Sequence, residues 1–179
     1  MINDVLTAVK NAIDTALPEL RRCEVHGGRF DLVELKRIAT QTPAVFVSLL
    51  STPDVRQKET EEKDIDLIIG IYVITSDKIQ LPRHISAINI VETILRLIPI
   101  NGWGLTKIST TSDINAQNLY TGEIDKHGIA MWAISFKQTL RVGTDIWLDP
   151  NGVLPSTVYI TGDVTDKYLN EVFGEQSTI

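Results

Sequence analysis

Apolar residues recur at every second position along residues 64–75, where Ile65, Leu67, Ile69, Ile71 and Val73 share one face, the period of a strand with a buried side. From Ile68 onward the opposite face is largely apolar too, which predicts a strand buried on both sides and central in its sheet. Residues 44–50 and 129–141 have the same β-rich character. The first follows Pro43, at the tolerated start of a strand. In the second, Ala130, Trp132, Ile134 and Phe136 share one face, and Met131, Ala133, Ser135 and Lys137 the other.

Two stretches change period. Ile2, Val5, Leu6, Val9, Ile13, Ala16 and Leu17 stand at helical spacing, with Lys10, Asn11 and Asp14 turned outward, and Pro18 stops the helix. A second helix over 83–98 places Ile85, Ile88, Val91, Ile94, Leu95 and Ile98 on its buried stripe and ends at Pro99. Shorter expectations fill the gaps. They are a strand over 21–25 closed by His26-Gly27-Gly28, a helix over 31–39 with Leu32, Leu35 and Ile38 inward, and a strand over 105–108. Trp103 plugs an end of the core, 113–120 is polar and ambiguous, and 125–128 is a hairpin or loop turn into the last long strand.

From residue 149 the composition shifts to turn residues, then to a β-prone piece at 157–161 and a helix over 164–173 capped by Asp163. Its apolar stripe, with Tyr168, Leu169, Val172 and Phe173 as anchors, must dock on its own domain or on a neighbour. The order of elements predicts an α+β fold, a mostly antiparallel sheet with two main helices packed on it. The predicted organisation is one domain over 1–148 and a C-terminal arm with a short helix over 149–179.

Composition narrows the function. The 179 residues are 43% hydrophobic and 22% charged, enough to bury a core without metals or disulfides. A net charge of −6 weighs against a protein that grips nucleic-acid phosphates, and the only basic doublets are Arg21-Arg22 and Lys36-Arg37. Cys23 is the lone cysteine, so no intrachain disulfide forms and a reducing compartment is the simpler reading. Neither a leader pattern nor an apolar run long enough for a membrane span is expected.

No residue constellation identifies a reaction. Cys23 and His26 have a spacing zinc could use, but a structural zinc takes four ligands and no second pair follows. Asp64 and Asp66 share a strand face and could hold a cation with Glu59, Glu61 or Glu62, although charges at a strand's entry are usually its solvated end. Hydrolase and phosphate-binding motifs are missing, so we expect no enzyme, no metal and no cofactor. The charged segment 51–63 is either a surface loop or the tip of a long hairpin that contacts another subunit. Arg56, Lys58, Glu59, Glu61 and Glu62 are its candidate contacts.

The run Leu35-Lys36-Arg37-Ile38-Ala39, then Thr42-Pro43-Ala44-Val45-Phe46-Val47-Ser48-Leu49-Leu50, resembles a family of Mu-like phage tail proteins. Phe136-Lys137-Gln138-Thr139-Leu140-Arg141-Val142-Gly143 is similar to that family's terminal strand. The resemblance implies a tail terminator: a hexameric homo-oligomeric ring that caps the tail tube of a contractile particle, ends its polymerisation and offers a head-joining surface. It implies an α+β domain without catalytic residues. The implied partners are the chain itself, the tail tube protein, the tail sheath and the head–tail connector, in a virion tail assembled in the host cytoplasm. DNA would pass the lumen without specific binding, helped by acidic walls, and no membrane partner is implied. A neck or adaptor protein of the same particle is the alternative, and a monomeric ligand-binding domain, with a pocket of converging polar groups, is a more distant one.

Overall fold

The computed structural model describes residues 1–28, 37–77, 81–98, 102–119 and 121–146. In chain order its elements are α1 (Ile2–Ala16), β1 (Arg22–Val25), β2 (Ala44–Ser51), β3 (Val55–Gln57), β4 (Lys63–Ser76), α2 (Arg83–Leu97), β5 (Ser112–Asn118), α3 (Gly122–Lys126) and β6 (Ile129–Val142). They form an α+β unit, Met1–Asp145. The arm, with Tyr168, Leu169, Val172 and Phe173, lies outside the described residues, as do Leu32 and Leu35.

The six strands make one sheet in the order β1-β2-β4-β6-β5, with β3 also on β4. Only β1 and β2 are parallel. The long strand β4 is central, as its two apolar faces require. It pairs with β6 along its whole length, from Lys63↔Val142 to Ser76↔Ile129. On its other side it pairs first with β3 and then with β2. Segment 51–63 is therefore the end of a long hairpin, closed by a tight turn in which the Glu62 carbonyl accepts from Lys58 N at 2.8 Å. Glu61 takes φ 64° there, the left-handed conformation such turns demand.

Alternation along β4 divides the molecule. Leu67, Ile69, Ile71 and Val73 join Val5, Val9 and Ile13 of α1 and Ile90, Val91 and Ile94 of α2 in the main core. On the opposite face a smaller core gathers Ile38, Phe46, Ile74, Ile129 and Met131 at one end only. The other end of that face carries charge.

Helix α1 ends as expected, since the N–H of Leu17 closes on Ile13 at 2.9 Å and Pro18 has no N–H to continue. In α2 the buried stripe keeps Val91, Ile94 and Ile98 as expected but departs from expectation in the first turns of the helix. Ala87, Ile90, Val91 and Ile94 face the sheet, whereas Ile85 and Ile88 are 42% and 48% exposed. Both phases offer isoleucines at helical spacing, but the phase of Ile85 and Ile88 also carries Glu92, so that side turns to water. Asp77 Oδ1 accepts from Arg83 N at 3.1 Å, which satisfies one free donor of the helix start.

Three further expectations change. Residues 105–108 form no strand; Ile108 makes one isolated bridge to Leu140. The polar stretch 113–120 contains the edge strand β5, whose side chains are almost all exposed. The expected turn at 125–128 is shorter: Asp125 and Lys126 end α3, and His127-Gly128 turn into β6; the start of α3 is capped by Thr121 Oγ1, which accepts from Ile124 N at 3.2 Å. Trp103 closes the main core, packing on Phe136 with ring centroids 6.0 Å apart and donating from Nε1 to Gln138 Oε1 at 2.6 Å.

Candidate functional site

The charged end of the outer face is built by three neighbouring strands. Register sets Asp64 between Arg56 of β3 and Arg141 of β6, and Asp66 opposite Thr139. Period two then brings Arg56, Asp64, Asp66, Lys137, Thr139 and Arg141 to the same side of the sheet.

Asp66 is 1% exposed and accepts four hydrogen bonds. Arg56 Nη2 and Nη1 donate at 2.7 and 3.1 Å, Lys137 Nζ lies at 2.8 Å and Thr139 Oγ1 at 2.8 Å. Asp64, 7% exposed, takes a fork from Arg141 Nε and Nη2 at 2.7 and 3.1 Å and Lys58 Nζ at 3.2 Å. Arg56 also pairs with Asp54. Charge-assisted and forked bonds of this kind are the strong ones.

The electrostatics follow from the donors. The Arg141 hydrogen bonds hold the Asp64 carboxyl down at about 2 against the opposing effect of burial. Arg56, then Lys137 and Thr139, hold Asp66 lower still. Nearby, Lys107 Nζ reaches Glu62 Oε1 at 2.8 Å and lowers that carboxyl. These groups stay ionised at neutral pH, so they can neither take up nor release a proton there.

The expectation that Asp64 and Asp66 form a solvated strand end is therefore corrected. Burial would make them costly if unpaired, and β3 and β6 supply the cations.

Of the candidate contacts, Arg56, Lys58 and Glu62 are engaged within the chain. Glu59 and Glu61 stand exposed at the tip. Cys23 lies in the main core, its thiol pushed up to about 11 by burial. The His26 ring sits edge-on to Phe46 of the other core, centroids 5.5 Å apart. Cys23 and His26 thus serve opposite faces of the sheet. Among the described residues no group of three or more His, Cys, Asp or Glu is placed to hold a metal ion, and no helix is long and apolar enough to cross a membrane.

A second polar feature joins the first basic doublet to Arg37. Arg21 and Arg22 meet Arg37 around a depression of about 380 Å³ also lined by Glu24, Thr40 and Gln41. Arg22 is fixed there, donating to Glu24 Oε2 at 2.7 Å and Gln41 Oε1 at 3.0 Å while its guanidinium lies 5.3 Å from the Phe46 ring centroid. The sequence shows Arg37 sixteen positions after Arg21, and only the fold brings the two to one depression.

No family model matches the chain, and no curated protein does. One solved structure it resembles is the sheath/tube terminator of an extracellular contractile injection system, at 14% identity and a TM-score of 0.27. The match covers 92% of this chain and 66% of that one, so the chain spans just under two thirds of that protein's length. A likeness this slight carries no argument about function.

Proposed function

We propose that this chain is a structural, non-catalytic terminator of a tail tube, acting as a homo-oligomeric ring, with six copies as the resemblance implies. The observation that carries the reading is where two of the resembling segments fall. Residues 43–50 and 136–143 supply most of β2 and the second half of β6, the strands on either side of β4, so the resemblance lies in the centre of the sheet. The buried, ion-paired carboxylates of the outer face support the same reading, because they stiffen a surface and are themselves held ionised at neutral pH.

Capping is a matter of asymmetric complementarity. One face of the ring matches the end of the tube, the opposite face offers no such match, and addition stops. The unmatched face is then available to the head connector, and acidic walls would let DNA pass without sticking. Residues 149–179 are one part of the chain we assign to holding neighbours together.

Electron microscopy of tails assembled without this chain tests the proposal. Tubes of unregulated, excessive length are expected. Tubes of normal length that merely lack heads would overturn it in favour of an adaptor.

A further inference from the structure

The hairpin tip and the arginine depression have opposite charge and cannot meet within one copy. Glu59 and Glu61 are exposed and enter no ion pair among the described residues. They sit beyond Lys63, where β4 begins. The depression lies at the other end of the sheet, where Arg22 pairs with Ala44 and Ala44 with Ile74. Eleven strand steps separate Lys63 from Ile74, about 36 Å at the usual rise.

The depression is rich in arginine. Among the described residues three guanidinium groups and one carboxylate, Glu24, line it, and Arg22 is already immobilised by Gln41, Glu24 and Phe46. Little side-chain freedom is left to lose when an anion arrives, and arginine is the residue suited to gripping carboxylate oxygens. Arg21 is exposed beside it, without an ion pair among the described residues. The tip is equally prepared: the forks from Arg56 to Asp66 and from Arg141 to Asp64 hold the hairpin's base, so the turn bearing the two glutamates extends from a stiff ribbon.

We infer that the Glu59–Glu61 tip of one copy docks into the Arg21–Arg22–Arg37 depression of the next. The inference rests on the ring reading and names the surfaces that would make it. Two different patches at opposite ends of one subunit give a heterologous, head-to-tail contact, the kind that generates a ring when its rotation closes. Charge at such a contact steers assembly and makes it sensitive to salt.

The test is a charge swap on the full chain, read by native mass and by light scattering at a series of concentrations. Arg21→Glu alone, and Glu59→Lys with Glu61→Lys, should each weaken association at least about tenfold. All three substitutions together should restore much of it, because the carboxylate at position 21 then faces ammonium groups at the tip. These side chains are exposed, so thermal melting should stay near the wild-type value and confirm that each variant folds. Raising salt to about 0.5 M should weaken the wild type, because charge is then screened over a few ångströms. An oligomer indifferent to either charge reversal would overturn the inference and leave the ring standing. Weakening by Arg21→Glu alone, without rescue by the tip lysines, would assign the depression another occupant and also overturn it. A wild-type chain that is monomeric throughout would refute the ring reading itself.

Discussion

Replacing Asp66 by Asn keeps the shape of the side chain and removes its charge, so it isolates what the carboxylate does. The amide oxygen can still accept from Arg56 or Thr139. The amide nitrogen, however, then faces Lys137 Nζ and Arg56 Nη1, which lie at 2.8 and 3.1 Å from the carboxylate oxygen it replaces. Hydrogen bonds to a charged group contribute about 1.5–3 kcal/mol each, and breaking a buried pair from one side costs about 3–5 kcal/mol. The cations left behind are not deeply buried, at 45% and 36% side-chain exposure, and can recover water, so the loss should fall at or below the low end of that range. We expect about 2–3 kcal/mol, a drop in melting temperature of about 5–10 °C. Urea unfolding at pH 7 measures it, with Glu59→Gln as an exposed control expected within about 0.5 kcal/mol of wild type.

The pH dependence of that loss has a definite sign. Asp66 holds its proton less tightly in the folded state than its ordinary value of 3.8. Its contribution is therefore complete above that value and declines as pH falls below it, through the folded-state pKa. The gap between wild type and Asp66→Asn should be constant from pH 5 to 7 and close below about pH 4. A variant within about 0.5 kcal/mol of wild type at pH 7, or a gap that widens on acidification, would refute the ion-pair assignment.

Two further predictions concern packing. A Cβ added at Gly70 would lie 2.9 Å from Leu50 Cγ, Cδ1 and Cδ2, so Gly70→Ala should destabilise by about 1 kcal/mol; in a Leu50→Ala background the same change should be neutral or stabilising, as a double-mutant cycle by urea melts would show. Cys23, buried and with its thiol raised to about 11, should resist alkylation at pH 8 in the folded chain and react fully once unfolded, as mass spectrometry of iodoacetamide-treated protein would read.

What the sequence revealed depended on whether burial or pairing decided the structure. The strand β4 was legible because Ile65 to Val73 alternate without interruption, and α1 because its stripe has a single phase. Helix α2 showed Val91, Ile94 and Ile98 correctly, but at its start it offered two phases of isoleucine, and only the sheet beneath it selects Ala87 and Ile90 over Ile85 and Ile88. Strand β5 was ambiguous because an edge strand with both faces wet has no apolar signal to give. The charged ladder was hidden for a different reason. Arg56 and Asp66 are ten positions apart, and Asp66 and Thr139 seventy-three, so only the register of β4 on β6 brings them together.

That register explains why the outer face carries charge at all. Isoleucines at every second position fix which face of β4 is buried, but they barely distinguish one pairing from another displaced by two residues, which keeps the same faces inside. Charge makes the distinction. With Asp64 opposite Arg141 and Asp66 opposite Thr139, both carboxylates find their donors. A displacement by two in either direction sets Asp64 opposite Thr139 or Gly143 and removes its fork to Arg141. An apolar surface in the same place would have left the register loose and exposed a flat greasy ribbon, a hazard for sheet edges and faces alike. The ladder therefore settles where the hairpin ends, and with it the position from which Glu59 and Glu61 project.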